Sequence, residues 1–145
     1  MAVGIMAIAN NLAFQGQEAV YTTTSNTYVF TGTGVIFIPK TSGIVKISLN
    51  ANVSNNTAGD GVAIDINYAT GTVLAAAGAA ATGTGVLASA IGYESATGKA
   101  NNTIGIIYQL TGLTLGTSYI FQPVFYATTG GTASFTQINM WAEEI

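Results

Sequence analysis

The sequence predicts an all-β protein, a sandwich or barrel of about eight antiparallel strands. Three observations carry that expectation. First, residues 43–68 alternate: Val45, Ile47, Leu49, Ala51 and Val53 against Lys46, Ser48, Asn50 and Asn52, then Val62, Ile64, Ile66 and Tyr68 against Ala63, Asp65 and Asn67. Successive strand side chains point to opposite faces, so this period marks half-buried strands. Second, short apolar runs recur between glycine-, threonine- and asparagine-rich turns. Third, no amphipathic helical period appears anywhere.

The elements follow in chain order. Residues 1–17 read as an extended arm, apolar from Met1 to Ala9, with Leu12 and Phe14 as anchors. Residues 18–23 and 28–31 are short strands, and Val35-Ile36-Phe37-Ile38 is a third, stopped by Pro39, which cannot donate to a ladder. Residues 43–68 read as a long antiparallel pair joined through the turn-forming cluster Ser54-Asn55-Asn56-Thr57-Ala58-Gly59-Asp60-Gly61. In residues 69–100 an alanine run suggests a helix, but Gly78, Gly83 and Gly85 interrupt it, each costing about 1 kcal/mol against alanine. A loop and one strand near 85–91 fit better. Residues 103–110 form a strand with Ile104, Ile106, Tyr108 and Leu110 on one face.

Residues 118–128 form a strand that is apolar on both faces. Tyr119, Phe121 and Phe125 lie on one, Ile120, Val124 and Tyr126 on the other. An antiparallel sheet commonly leaves one face to water, so two apolar faces imply two covers. One is the core; Ile120, Val124 and Tyr126 are therefore candidates for a subunit interface. Residues 133–143 close the domain, with Trp141 near the end.

Charge is scarce. Three lysines, no arginine and six acids make 6% of the chain, where soluble domains carry about 25%. A 14.7 kDa monomer exposes roughly 7,000 Å², so a charge falls on the order of once per 800 Å². That poverty favours an assembly whose subunits cover one another. The apolar arm, with Ile5, Met6 and Ile8 beside Leu12 and Phe14, is a second candidate contact. At nine residues it is too short to span a bilayer, and no cation precedes it as in a signal peptide.

Chemistry is argued mainly by exclusion. Net charge −3 without arginine speaks against nucleic acid, and no basic stripe suits an anionic membrane. Cysteine and histidine are absent, which removes thiolate sites and the commonest general base. No carboxylate pair among Asp60, Asp65, Glu94, Glu143 and Glu144 is recommended by spacing, and Lys40, Lys46 and Lys99 sit in no motif, so no enzyme, cofactor or metal is expected. Asp60 with Asn55 and Asp65 could offer oxygen ligands to calcium, but the spacing fits no calcium loop and a turn explains the cluster.

The segments Pro39-Lys40-Thr41-Ser42-Gly43, Asn52 to Gly61, Tyr68-Ala69-Thr70-Gly71-Thr72, Gly78-Ala79-Ala80-Ala81-Thr82-Gly83-Thr84, Leu113-Thr114-Leu115-Gly116-Thr117-Ser118-Tyr119 and Thr129-Gly130-Gly131-Thr132-Ala133-Ser134 form one further pattern. In order and spacing they resemble small bacteriophage structural proteins with a jelly roll similar to the trimeric heads of complement and tumour-necrosis factor. The resemblance spans about two-thirds of the chain and carries no functional residue. It implies an antiparallel jelly-roll sandwich over 18–145 behind an N-terminal arm over 1–17. It further implies a virion protein, a homotrimer that decorates or cements the capsid exterior by contact with the major capsid protein or neighbouring subunits. The alternative it leaves open is a receptor- or glycan-binding head on a fibre or turret, acting through loops near 55–61 and 93–99. A secreted bacterial head domain is disfavoured by the missing leader.

Overall fold

A computed structural model describes residues 11–81, 86–93 and 102–145. Ten strands form two antiparallel sheets. They are β1 (Leu12–Gln17), β2 (Tyr21–Thr23), β3 (Val29–Phe30), β4 (Val35–Phe37), β5 (Val45–Asn55), β6 (Gly61–Thr70), β7 (Val86–Tyr93), β8 (Asn102–Leu110), β9 (Tyr119–Ala127) and β10 (Ala133–Glu144). The front sheet runs β1-β10-β5-β8, with β2 continuing the β1 position along β10. The back sheet runs β3-β9-β6-β7, with β4 continuing the β3 position along β9. Eight strand positions result, and most connections cross from one sheet to the other. That is the jelly roll.

The core is built by the expected alternation. Ile47, Leu49, Ile138 and Met140 of the front sheet meet Ile64, Ile66, Phe121 and Phe125 of the back sheet, all essentially inaccessible to water. Phe125 and Phe135 join the layers with ring centroids 5.3 Å apart. Each such side chain contributes about 1.5–3 kcal/mol of burial.

Strands β5 and β6 exist where the alternation places them, but they are not a hairpin. β5 pairs with β10 and β8, and β6 pairs with β9 and β7. Residues 56–60 are a corner between sheets, and residues 128–132 form the matching corner between β9 and β10. The two are bound together. The buried Asn55 amide donates to the carbonyls of Gly61 and Gly130, and its oxygen accepts from the Thr57 N–H. Asn56 and Thr132 exchange two further bonds. Gly131, at φ +67, is pressed against Asn55, Asn56 and Thr57 with no room for a Cβ. A turn cluster and a sheet-crossing corner look alike in sequence because both need the same residues.

The second face of β9 is closed by the chain itself. Ile120 and Val124 are buried, as are Ala63, Asp65 and Asn67 of β6 on the same side. The cover is a strap over residues 71–81. Gln122 grips it from below, its oxygen accepting from the Ala75 N–H and its nitrogen donating to the Ala75 carbonyl. Residues 28–30 hold it from the side through bonds between Phe30 and Ala79, Phe30 and Gly78, and Tyr28 and Ala81. Gly71 lies against the Ile120 side chain. Two apolar faces did require two covers, but the second is an alanine-rich loop rather than another subunit. Ile120 and Val124 therefore present no open surface, and Tyr126 stacks edge-on against Tyr28 at 4.7 Å.

The described part of the expected arm is a strand. Leu12 to Gln17 are β1, registered on β10 from Glu143 to Ile138. Ile5, Met6 and Ile8 lie outside the described residues.

Candidate functional site

Among the described residues, the outward side of the front sheet is an open surface. Its register defines successive rows across four strands: Leu12, Glu143, Lys46 and Gln109, then Phe14, Trp141, Ser48 and Ile107, then Gly16, Asn139, Asn50 and Gly105. The second row is largely apolar, and Leu12 of the first adjoins it. Leu12 is 58% exposed, Phe14 63% and Ile107 76%, values that leave a monomer with hydrocarbon in water on one contiguous face. Leu12, Phe14 and Trp141 line a shallow apolar hollow there, and the ion pair between Lys46 and Glu143 (2.8 Å) edges it.

Trp141 faces outward because of a bulge. Between Thr136 and Asn139 the register of β10 against β5 shifts, and Gln137 sits at φ 51. The extra residue reverses the parity of the strand. Ala133 and Phe135 point inward before it; Ile138, Met140 and Ala142 point inward after it. Uninterrupted alternation from Phe135 would have buried Trp141. The sequence reading singled out Leu12 and Phe14 but missed Trp141 and Ile107. Adjacent Ile106 and Ile107, apolar on opposite faces of β8, were the available signal.

Beyond the aromatic row the face becomes polar. A groove of about 480 Å³ is lined by Asn50, Asn52, Thr103, Gln137 and Asn139, with Gln17 and Glu18 at its margin. The Thr103 hydroxyl donates to the Asn52 oxygen at 2.8 Å, and the Asn52 nitrogen donates to the Gln137 oxygen, a chain across β8, β5 and β10. Asn139 donates to the Gln137 carbonyl.

The acidic residues are occupied elsewhere. Glu144 is buried and accepts from the backbone N–H groups of Lys40, Thr41, Ser42 and Gly43 at 2.7–3.2 Å. Burial alone would raise its pKa, but these four donors outweigh it and hold the carboxyl well below the usual range. Asp65 lies under the strap and accepts from the Tyr28 hydroxyl. Burial first, then Asp65 and Tyr126, push the Tyr28 phenol well above its ordinary value. Asp60 accepts from Thr129. Asn55, Asp60 and Asp65 are thus committed to different partners. Among the described residues no three His, Cys, Asp or Glu side chains gather as metal ligands. Within the 55–61 corner, Asn55, Asn56 and Asp60 are bonded to the neighbouring corner; residues 94–99 lie outside the described residues.

No family model matches the chain, and no curated protein matches it in sequence. Solved structures do match in shape. The chain is similar to the Eiger tumour-necrosis factor of S. frugiperda, with a TM-score of 0.59 and 7% identity over 94% of this chain and 92% of that one. It is also similar to the infectious bursal disease virus Gt strain structure, with a TM-score of 0.51 and 9% identity over 94% of this chain and 33% of that one. The chain therefore spans about a third of the length of the viral chain it matches. At such identities the likeness establishes one thing, a jelly roll shared by a cytokine head and a viral protein.

Proposed function

We propose that this chain is a structural protein of a virus particle, a jelly-roll subunit that joins copies of itself through the open face of the front sheet. The carrying observation is the exposed Leu12, Phe14 and Ile107, with half-buried Trp141 beside Phe14, on one sheet face of a chain with 6% charged residues. A second copy is the occupant that fits: it needs no opposite charge, and the face offers little. Burying apolar surface at about 25 cal/mol per Å² supplies the driving force. The finer reading is a homotrimer that decorates or cements a bacteriophage capsid from outside, meeting the major capsid protein or its neighbours. It is supported by the resemblance of the turn segments and by the apolar stretch from Met1 to Ala9, which leads into β1 at the edge of that face. The role is mechanical, with no catalytic group, cofactor, nucleic acid or membrane assigned.

Sedimentation of the purified chain tests the association. A trimer, three times 14.7 kDa, is expected, and a monomer that persists at high concentration would overturn the proposal. Co-sedimentation with particles tests the decoration: removal of residues 1–9 is expected to weaken binding to the shell or within the trimer while the sandwich stays folded.

A further inference from the structure

The polar end of the front face has a construction that self-association does not require. Its third row reads Gly16, Asn139, Asn50 and Gly105, two carboxamides between two glycines. The glycines make the hollow. A Cβ on Gly105 would stand 2.8 Å from the Asn50 oxygen, and one on Gly16 would stand 3.2 Å from the Phe14 ring and 3.4 Å from the Asn139 oxygen. In the row beyond, Gln137, Asn52 and Thr103 are already locked to one another. Gln137 holds its place at a backbone angle that costs a non-glycine residue about 1 kcal/mol or more. Strain, absent side chains and a fixed polar chain together form a preorganised concave site.

The chemistry of the lining selects its ligand. Carboxamides offer both donors and acceptors without charge, and the Asn50 amide has no hydrogen-bond partner among the described residues. Among the described residues no cation lines the groove and Glu18 does, so phosphate, sulfate, sialic acid and uronate are disfavoured. A volume of about 480 Å³ falls within the range of small-ligand sites. We infer that this groove binds a neutral carbohydrate, its hydroxyls bridged by Asn50, Asn139 and Gln137. It begins one row beyond Phe14 and Trp141, so association centred on that row leaves it at the rim. The site is therefore separate from the loops near 55–61, whose side chains are consumed within the fold.

The test is a titration of the full chain, labelled with nitrogen-15, with cellotriose, maltotriose and N-acetylchitotriose, and with sialyllactose as the anionic comparison. The expected result is movement of the Asn and Gln side-chain amide signals by at least one neutral probe, with Kd on the order of 1 mM. Sialyllactose should leave them unmoved. Asn50→Ala with Asn139→Ala should weaken binding at least about tenfold, the loss of roughly one good polar contact. Gly105→Ala, whose methyl displaces the Asn50 amide, should weaken binding as well. Sedimentation of both variants should match the parent, which separates this site from the assembly face. Absence of any shift at about 10 mM of all three neutral probes, equal binding of sialyllactose, or unchanged affinity in both variants would each overturn the assignment.

Discussion

Phe14 and Trp141 stand directly opposite one another across β1 and β10, on the side of the front sheet that faces away from the core. Cβ atoms of such a pair lie about 5 Å apart, so the two rings make one continuous apolar ledge. In a monomer that ledge would be wet. Phe14→Ser should therefore weaken self-association by about 10- to 100-fold, corresponding to about 1.5–3 kcal/mol of lost burial. Ile107→Ser should act in the same direction. Because these side chains lie outside the core, melting of the separated subunit should change little. Sedimentation velocity over a concentration series reads the first effect and circular dichroism the second.

Asn55 is the residue on which the two corners depend. Asn55→Ala orphans the part-buried Gly130 carbonyl and the Thr57 N–H, and leaves the buried Gly61 carbonyl with the Thr128 N–H alone. A cost of about 3 kcal/mol is expected, since each unsatisfied buried group carries about 1–3 kcal/mol and some will be reached by water. Asn55→Asp should be worse at neutral pH, because a carboxylate would face two carbonyl oxygens. Urea denaturation gives both values, with the slope unchanged if the unfolded state is unaffected.

Glu144 makes stability depend on pH. Its folded pKa is depressed below the ordinary 4.5 by the four N–H groups of residues 40–43. The stabilisation is therefore complete above the unfolded value and drains away as the pH falls from about 4.5 toward the lower folded value. Glu144→Gln should melt below the parent at pH 7, and the gap should narrow steadily below pH 4.5. A gap that stays constant to pH 2 would show that charge on Glu144 contributes nothing.

Gln137 sets the parity of β10. Gln137→Gly should be tolerated, because glycine accepts φ 51 readily and offsets the lost amide bond to Asn52; the net change should stay within about 1 kcal/mol. Deleting Gln137 is a different operation. It would turn Ile138, Met140 and Ala142 outward and Trp141 inward, so the deleted chain should fail to fold, read as loss of the cooperative melt and appearance in the insoluble fraction.

Gln122 fastens the strap over residues 71–81. Gln122→Ala removes its two bonds to Ala75 and should raise cleavage within the strap by about tenfold, the equivalent of roughly 1.4 kcal/mol in local opening. Limited proteolysis followed by mass spectrometry of the fragments reads this directly.

Strand positions were legible because alternation is a local property. β4, β5, β6, β8, β9 and β10 all fall where apolar period and turn residues place them. Pairing was not legible. Whether Asn55 begins a hairpin turn or a corner depends on strands nearly a hundred residues away, and turn chemistry is the same in both. The double-sided apolarity of β9 was read correctly as a demand for two covers. What supplies the second was hidden, since residues 71–81 have no period and are held by the Gln122 amide and by backbone bonds to residues 28–30 that leave no mark in the sequence. The front face was half visible in Leu12 and Phe14. Trp141 was masked because a one-residue bulge defeats any count by twos.

The placement of β10 also governs how the molecule can be made. Its twelve residues, Ala133–Glu144, pair with β1, β2 and β5. A ribosome delivering this chain releases β1 well before β10, so the front sheet cannot close until β10 has emerged. Until then Ile47, Leu49 and Val53 have no complete layer around them. Non-local closure of this kind folds slowly and leaves strand edges open to other chains. In a crowd of nascent copies, scarce charge makes that interval hazardous, and rapid burial of the finished front face against sister subunits would bring it to an end.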